Sequence, residues 1–139
     1  MHNTSVYECQ IVRLPKIHNE AGNLTAVNNS SDIPFDIQRV YYLYDIPSGA
    51  ERGGHAHHKL SQILVAASGS FNVVLSDGEN KKSVTLNRPD FGLMIVPGIW
   101  REINEFSSGA ICLVLASEKY DPEDYIREEQ LFHEAKRHG

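Results

Sequence analysis

The sequence predicts an all-β fold, a sandwich or barrel of short strands finished by one C-terminal helix. Two patterns carry that expectation. Short runs rich in β-branched and aromatic residues recur along the chain, and clusters of Gly, Pro, Asn and Asp punctuate them as turns. Helical signals are confined to the tail, where Asp121 suits an N-cap and Pro122 the first helical position. A single domain is expected over residues 1–139, a length that supports one adequate core.

The elements follow in order. Residues 6–14 read as a strand ended by Pro15. Ala21-Gly22-Asn23 reads as a turn into a short strand over 24–27, and residues 28–32 as a loop. Residues 37–44 alternate as a strand, with Arg39 and Tyr41 on one face and Tyr42 and Tyr44 on the other. After the turn at 47–51 comes a histidine-bearing strand. Residues 62–67 and 70–75 flank Ser68-Gly69 and read as a hairpin. Strands over 82–86, 93–96, 100–103 and 111–116 complete the set, separated by Asn87-Arg88-Pro89-Asp90 and Pro97-Gly98. Residues 122–137 read as a helix packed on the barrel: Glu123 and Asp124 favour its N-terminal end, and Tyr125, Ile126, Phe132 and Ala135 supply an apolar stripe.

Composition narrows the function classes. With 13 basic against 18 acidic residues and no Lys/Arg-rich run, nucleic-acid binding is not expected. No apolar run approaches the roughly 20 residues of a membrane helix. The first residues show no charged-then-apolar signal pattern, and the two cysteines, Cys9 and Cys112, read as buried free thiols, with a Cys9–Cys112 disulfide as the alternative. The expectation is a cytoplasmic protein.

The chemistry concentrates in residues 52–60. His55 and His57 lie two apart, so in a strand both project to one face while His58 points away. Such a pair suits a metal site or an acid/base site, with a pair of surface histidines in a polar loop as the bland alternative. The run His55-x-His57, then Gln62, then Gly69 resembles the first motif of cupins, and Gly92 followed by Pro97-Gly98-Ile99-Trp100-Arg101 resembles the second. The resemblance implies a small jelly-roll-like β-barrel. In metal cupins an acid stands where this chain has Gln62, and a histidine where it has Arg101. Arginine has no lone pair to give and stays charged, so these two departures argue against a metal. What remains is two imidazoles, Arg101, Tyr41 and Arg39, a set able to move a proton α to a carbonyl.

Beyond these motifs, residues 21–125 resemble the sugar 3,4-ketoisomerases of the cupin superfamily, which act on dTDP-4-keto-6-deoxyglucose. The matching pieces are Ile33-Pro34-Phe35, Arg39-Val40-Tyr41-Tyr42, Arg52-Gly53-Gly54-His55-Ala56-His57, Gln62-Ile63-Leu64-Val65, Gly69-Ser70, Asp77-Gly78 and residues 120–126. The resemblance implies a reaction without metal or cofactor. In it His55 is the base, His57 the second essential imidazole and Tyr41 the proton-relaying hydroxyl. Arg52, Arg101, Arg39 and Gln62 are implied to contact the substrate, and Arg39, Lys59, Lys81 and Lys82 are candidates for its pyrophosphate. It also implies a homodimer exchanging residues 1–14 between subunits, and a place in making 3-amino-3,6-dideoxyhexoses of surface glycans. Relatives vary at the positions of Ala21 and Arg101, and Arg101 favours the gluco-type configuration at C4. A non-catalytic nucleotide-sugar-binding cupin and a metal-dependent cupin enzyme are the competing readings.

Overall fold

The computed structural model describes residues 2–138; Met1 and Gly139, the ends of the expected domain, lie outside the described residues. Two five-stranded sheets make up the barrel, and their pairs are antiparallel. One runs β1 (Ile11–Arg13), β9 (Phe91–Ile95), β6 (Gln62–Ser68), β11 (Ile111–Ala116) and β4 (Arg39–Leu43). The other runs β12 (Tyr125–Ile126), β5 (Arg52–His57), β10 (Trp100–Asn104), β7 (Phe71–Ser76) and β8 (Lys81–Leu86). A separate hairpin joins β2 (Ile17–Asn19) to β3 (Gly22–Leu24), and a single helix, α1, spans Glu129–His138. The fold is the expected small all-β barrel with a short C-terminal helix.

Strand alternation sorts side chains into three apolar clusters. Leu64, Ala66, Phe71, Val73, Leu75, Ile103, Cys112 and Val114 point between the sheets and fill the barrel with Val6 and Cys9. The opposite face of β6 and β11 buries Ile63, Val65 and Leu115 under Leu14 and Ile33. The outer face of β5 and β10 buries Ala56 and Trp100 under Ile126 and Phe132, which seats α1 on the barrel. Both cysteines are buried free thiols, and burial pushes the Cys112 thiol up to about 12.

Four local expectations change. Residues 6–14 are not one strand. Val6–Glu8 form a 3-10 turn, because Ser5 and Glu8 make a reciprocal capping box, Ser5 accepting from Tyr7 N at 3.1 Å and Glu8 accepting from Ser5 N at 2.7 Å. The short strand expected at 24–27 lies earlier, as β3 paired with β2. β6 and β7 are not a hairpin. They belong to opposite sheets, and Ser68-Gly69-Ser70 is a corner, pinned by Ser70 N donating to Ser107 Oγ (2.8 Å) and Ser107 N donating to Ser70 O (2.9 Å). The hairpin is β7–β8, turning at Asp77-Gly78, where Asp77 accepts from Val6 N, Glu79 N and Asn80 N.

The tail differs most. Asp121 does cap a turn with Pro122 inside it, but the turn is 3-10 and ends at Asp124. Tyr125-Ile126 then pairs with β5, and α1 begins only at Glu129.

Gly69 has φ +67°, and a Cβ there would strike Ser107 Oγ and stand 3.0 Å from Ala110 Cα. Gly69→Ala is therefore expected to destabilise the protein by more than about 1 kcal/mol, read from the urea midpoint.

Candidate active site

The site lies inside the barrel at one end and is built by inward positions of facing strands. β4 contributes Arg39, Tyr41 and Leu43, β5 contributes Gly53 and His55, β6 contributes Gln62 and Leu64, and β10 contributes Arg101 and Ile103. They line a cavity of about 350 Å³, completed by Arg52, Gly54, Val114, Tyr120, Tyr125 and Arg127. Its size is at the lower end of small-molecule sites. Of the expected site residues, Tyr41, His55, Arg52, Arg101, Arg39 and Gln62 all line it. His57 does not: it is fully buried behind the lining, its ring 4.8 Å from that of His55. His58 ends outside the site, as alternation requires.

Register explains the placement. His55 faces Arg101 directly across the β5–β10 ladder, and Tyr41 faces Val114 across β4–β11. Between Arg52 and His55 the β5–β10 register slips by one residue, at Gly53, whose φ is +79°. This bulge lets both Arg52 and His55 reach the cavity.

A hydrogen-bonded chain crosses the floor. Arg101, 1% exposed, donates from Nη1 to Gln62 Oε1 and from Nε and Nη2 to the Ile99 carbonyl at 3.3 and 3.2 Å. Gln62 Nε2 in turn donates to Tyr41 Oη at 3.4 Å. The Tyr41 oxygen is thereby an acceptor towards Gln62, which leaves its own proton free for the cavity. Two of the five guanidinium N–H groups of Arg101 are also left over for a ligand. Among the described residues Arg101 forms no salt bridge, and its side chain is interior.

The electrostatics follow from burial. Desolvation, then the Arg101 charge, pushes His55 down to about 3. The same causes in the same order push His57 down to about 2. Both imidazoles are neutral at ordinary pH and so able to accept a proton. Desolvation raises Tyr41, keeping its phenol protonated. Desolvation also lowers Arg101, to about 10, and it remains a cation near neutrality. Among the described residues no group of three or more His, Cys, Asp or Glu is arranged to hold a metal ion. A divalent ion in this cavity would meet the one imidazole of His55 and the guanidinium of Arg101, a donor set it does not fit.

Tyr125, Tyr120, Arg127 and Asp124 were missed as site residues. Tyr125 packs its ring 5.0 Å from His55 and 4.3 Å from His57, and Arg127 covers its other side at 4.2 Å. Arg39 lies over Tyr41 and Tyr120 and reaches Tyr125 Oη at 3.4 Å. All four missed residues stand in or beside the matched piece 120–126, and reading 122–137 as a helix hid Asp124, Tyr125 and Arg127. Of the four pyrophosphate candidates only Arg39 reaches the cavity; Lys82 donates instead to the Cys9 carbonyl at 2.8 Å. Ala21 sits in the exposed β2–β3 turn and is not among the lining residues.

A two-sheet barrel with inward histidines on β5 and a cavity lined by His55, Tyr41 and Arg101 has the architecture of a cupin. The comparisons narrow the class. Residues 7–137 match the family described as FdtA, WxcM-like, C-terminal, and the chain belongs to that family. It is 43% identical over 121 residues, 87% of either chain, to the TDP-4-oxo-6-deoxy-alpha-D-glucose-3,4-oxoisomerase of Aneurinibacillus thermoaerophilus. The sugar 3,4-ketoisomerase QdtA of Thermoanaerobacterium thermosaccharolyticum, solved in complex with TDP, superposes with a TM-score of 0.93 at 38% identity, covering 96% of this chain and 97% of that one. The WlaRB TDP-quinovose 3,4-ketoisomerase of Campylobacter jejuni gives 0.86 at 45% identity, covering 91% and 97%.

The two depressed histidines make stability depend on pH. An unfolded imidazole titrates near 6.5, whereas the folded ones stay neutral down to about 3 and about 2. Across that window the unfolded chain binds more protons, so stability is full above pH 6.5 and falls as the pH is lowered. Each histidine adds a slope of up to about 1.4 kcal/mol per pH unit. Urea unfolding between pH 7 and 4 should show this loss, and His55→Asn should flatten it.

Proposed function

We propose that this protein is a sugar 3,4-ketoisomerase. It converts dTDP-4-keto-6-deoxy-D-glucose to the dTDP-3-keto-6-deoxyhexose, without metal or cofactor. The observation that carries this is the pairing, in one cavity, of a neutral imidazole on His55 with a protonated phenol on Tyr41, anchored by Gln62 and Arg101. The relatives' names supply the substrate class.

The steps balance. His55 takes the proton from C3, and the C–H pair becomes the C3=C4 double bond of an enediol. The C4 carbonyl pair moves to O4, which receives the Tyr41 proton. The O3 hydroxyl returns a proton to Tyr41 as C3 becomes the ketone. His55 then delivers its proton to C4. Gln62 Nε2, donating to Tyr41 Oη, stabilises the transient phenolate, and Arg101 supports the anion electrostatically. A protonated His55 next to Arg101 is unfavourable except while an anion stands opposite. That directs its proton back to carbon.

Arg39, Arg52 and Arg127 ring the cavity and suit the pyrophosphate. Quinovose is the gluco-configured 6-deoxyhexose, so the likeness to WlaRB supports the gluco-type product at C4 expected from Arg101. The 3-keto product is a substrate for amination at C3, on the way to 3-amino-3,6-dideoxyhexoses of surface glycans. No described helix is long and apolar enough to cross a membrane, and the two free buried thiols support a cytoplasmic site of action.

A homodimer completes the reading. β4 is a sheet edge, with Val40, Tyr42 and Tyr44 exposed on its outer side, and the β2–β3 hairpin exposes Ile17 and Leu24. β1 pairs with β9 of its own barrel; an exchange of residues 1–14 would reproduce that pairing between subunits.

Metal-free protein turning over this substrate in deuterated water should place deuterium at C3 or C4, with no loss of rate on adding a chelator. No incorporation between pH 6 and 8 would reject the assignment. His55→Asn should abolish exchange with the fold intact. Tyr41→Phe should lower kcat by about 10²–10⁴. For the dimer, sedimentation should show two chains, shifting towards one when Val40 and Tyr42 are both changed to Lys.

A further inference from the structure

His57 raises a question that the isomerisation leaves open. Its ring is fully buried and does not reach the cavity, so it cannot touch a bound sugar as His55 can. Its surroundings are nevertheless polar and built. Asp124, only 8% exposed, lies at the end of the 3-10 turn beyond β11 and directs its carboxylate inward beneath the β5–β6 connection. One oxygen accepts from Lys59 N at 2.8 Å. The other accepts from Leu60 N and from His57 Nδ1, each at 3.2 Å. The Asp124 carbonyl also accepts from His58 N at 3.0 Å.

The hydrogen-bond chemistry fixes a tautomer. An ionised carboxylate has only acceptors, so at this contact the imidazole must donate, and the proton sits on Nδ1. The Nε2 lone pair is then on the other edge of the ring. That atom is buried without a hydrogen-bond partner, as is His55 Nε2. His57 stands edge-on to His55 at 4.8 Å, with ring planes at 87°, and edge-on to Tyr125 at 4.3 Å. One ring face of the base is therefore set by a second imidazole that is itself tied down by a carboxylate 67 residues further on.

We propose that Asp124 is a positioning residue for the isomerisation: its carboxylate holds His57 as the Nδ1–H tautomer, and His57 holds the ring of His55 towards the cavity. The assignment rests on the isomerase reading above. It divides labour between the two histidines. His55 exchanges the proton with the sugar, while His57 acts through His55, oriented as a carboxylate orients an imidazole in other enzymes. The interaction also ties the tail to the site, since β12 follows Asp124 directly and carries Tyr125 against both rings.

The test has two arms. In the first, two-bond proton–nitrogen spectra of 15N-labelled wild-type protein near neutral pH read the tautomer of His57, assigned by its loss in His57→Asn. The expected pattern is a protonated Nδ1 and a bare Nε2. A protonated Nε2 overturns the proposal, and this arm needs no variant of Asp124. In the second, Asp124→Asn keeps the side-chain shape and an oxygen for the turn but loses the anionic acceptor. Its His57 should change to the Nε2–H form, and kcat should fall about 10–100-fold with KM unchanged. A variant with wild-type kcat, or one that loses affinity instead of turnover, overturns the proposal. Asp121→Asn, which alters an exposed cap of the same turn, should leave kcat unchanged. The two readings fail differently. Wild-type protein that exchanges no proton rejects the isomerase assignment, whereas normal exchange with a protonated His57 Nε2 rejects only the role of Asp124.

Discussion

The burial of Arg101 is the constraint on which the interior is organised. A guanidinium cannot shed its charge, and placing it inside a barrel costs several kcal/mol unless its donors are met. Here three of the five are met by neutral groups, the Gln62 amide and the Ile99 carbonyl, and no ion pair to Arg101 forms among the described residues. The positive charge is thus hydrogen-bonded but not neutralised. Burial first, and then this charge, keeps both imidazoles unprotonated, and the cavity beside Arg101 is suited to something negative. A glutamate at position 62 would have neutralised Arg101 and removed that bias.

Period-two alternation made half of the site legible. It placed Arg39 with Tyr41 and His55 with His57, and it excluded His58, before any tertiary information was used. Alternation could not reveal that Gln62 and Arg101 touch. They are 39 residues apart on different sheets, and only the resemblance in motif spacing joined them. Nor could alternation separate the two histidines by role. Both face inward, but the depth that takes His57 out of the cavity depends on Asp124 and Tyr125 packing behind it.

The misreadings share a cause: local signals that two structures satisfy equally. Two apolar runs around Ser68-Gly69 suit a hairpin or a corner between sheets, and what decides is Ser107 and Ala110, close to Gly69 in space and far along the chain. Asp121-Pro122 starts a 3-10 turn as readily as an α-helix, and a strand of two residues such as Tyr125-Ile126 has too short a pattern to announce itself. The capping box at Ser5 and Glu8 was visible in principle, but Val6 and Tyr7 between them have strong β propensity.

The short β12 strand bears on how the molecule comes to be active. Most of the barrel can pair without it, yet Tyr125 and Arg127 form one wall of the cavity and Asp124 hydrogen-bonds His57 behind His55. Residues 120–127 are synthesised after the strands that carry Tyr41 and His55. A chain emerging from synthesis holds the imidazole of His55 and the phenol of Tyr41 before it holds this wall. On the proposed mechanism, turnover waits until residues 120–127 have joined the barrel, so that chains cut before them carry His55 and Tyr41 without that wall.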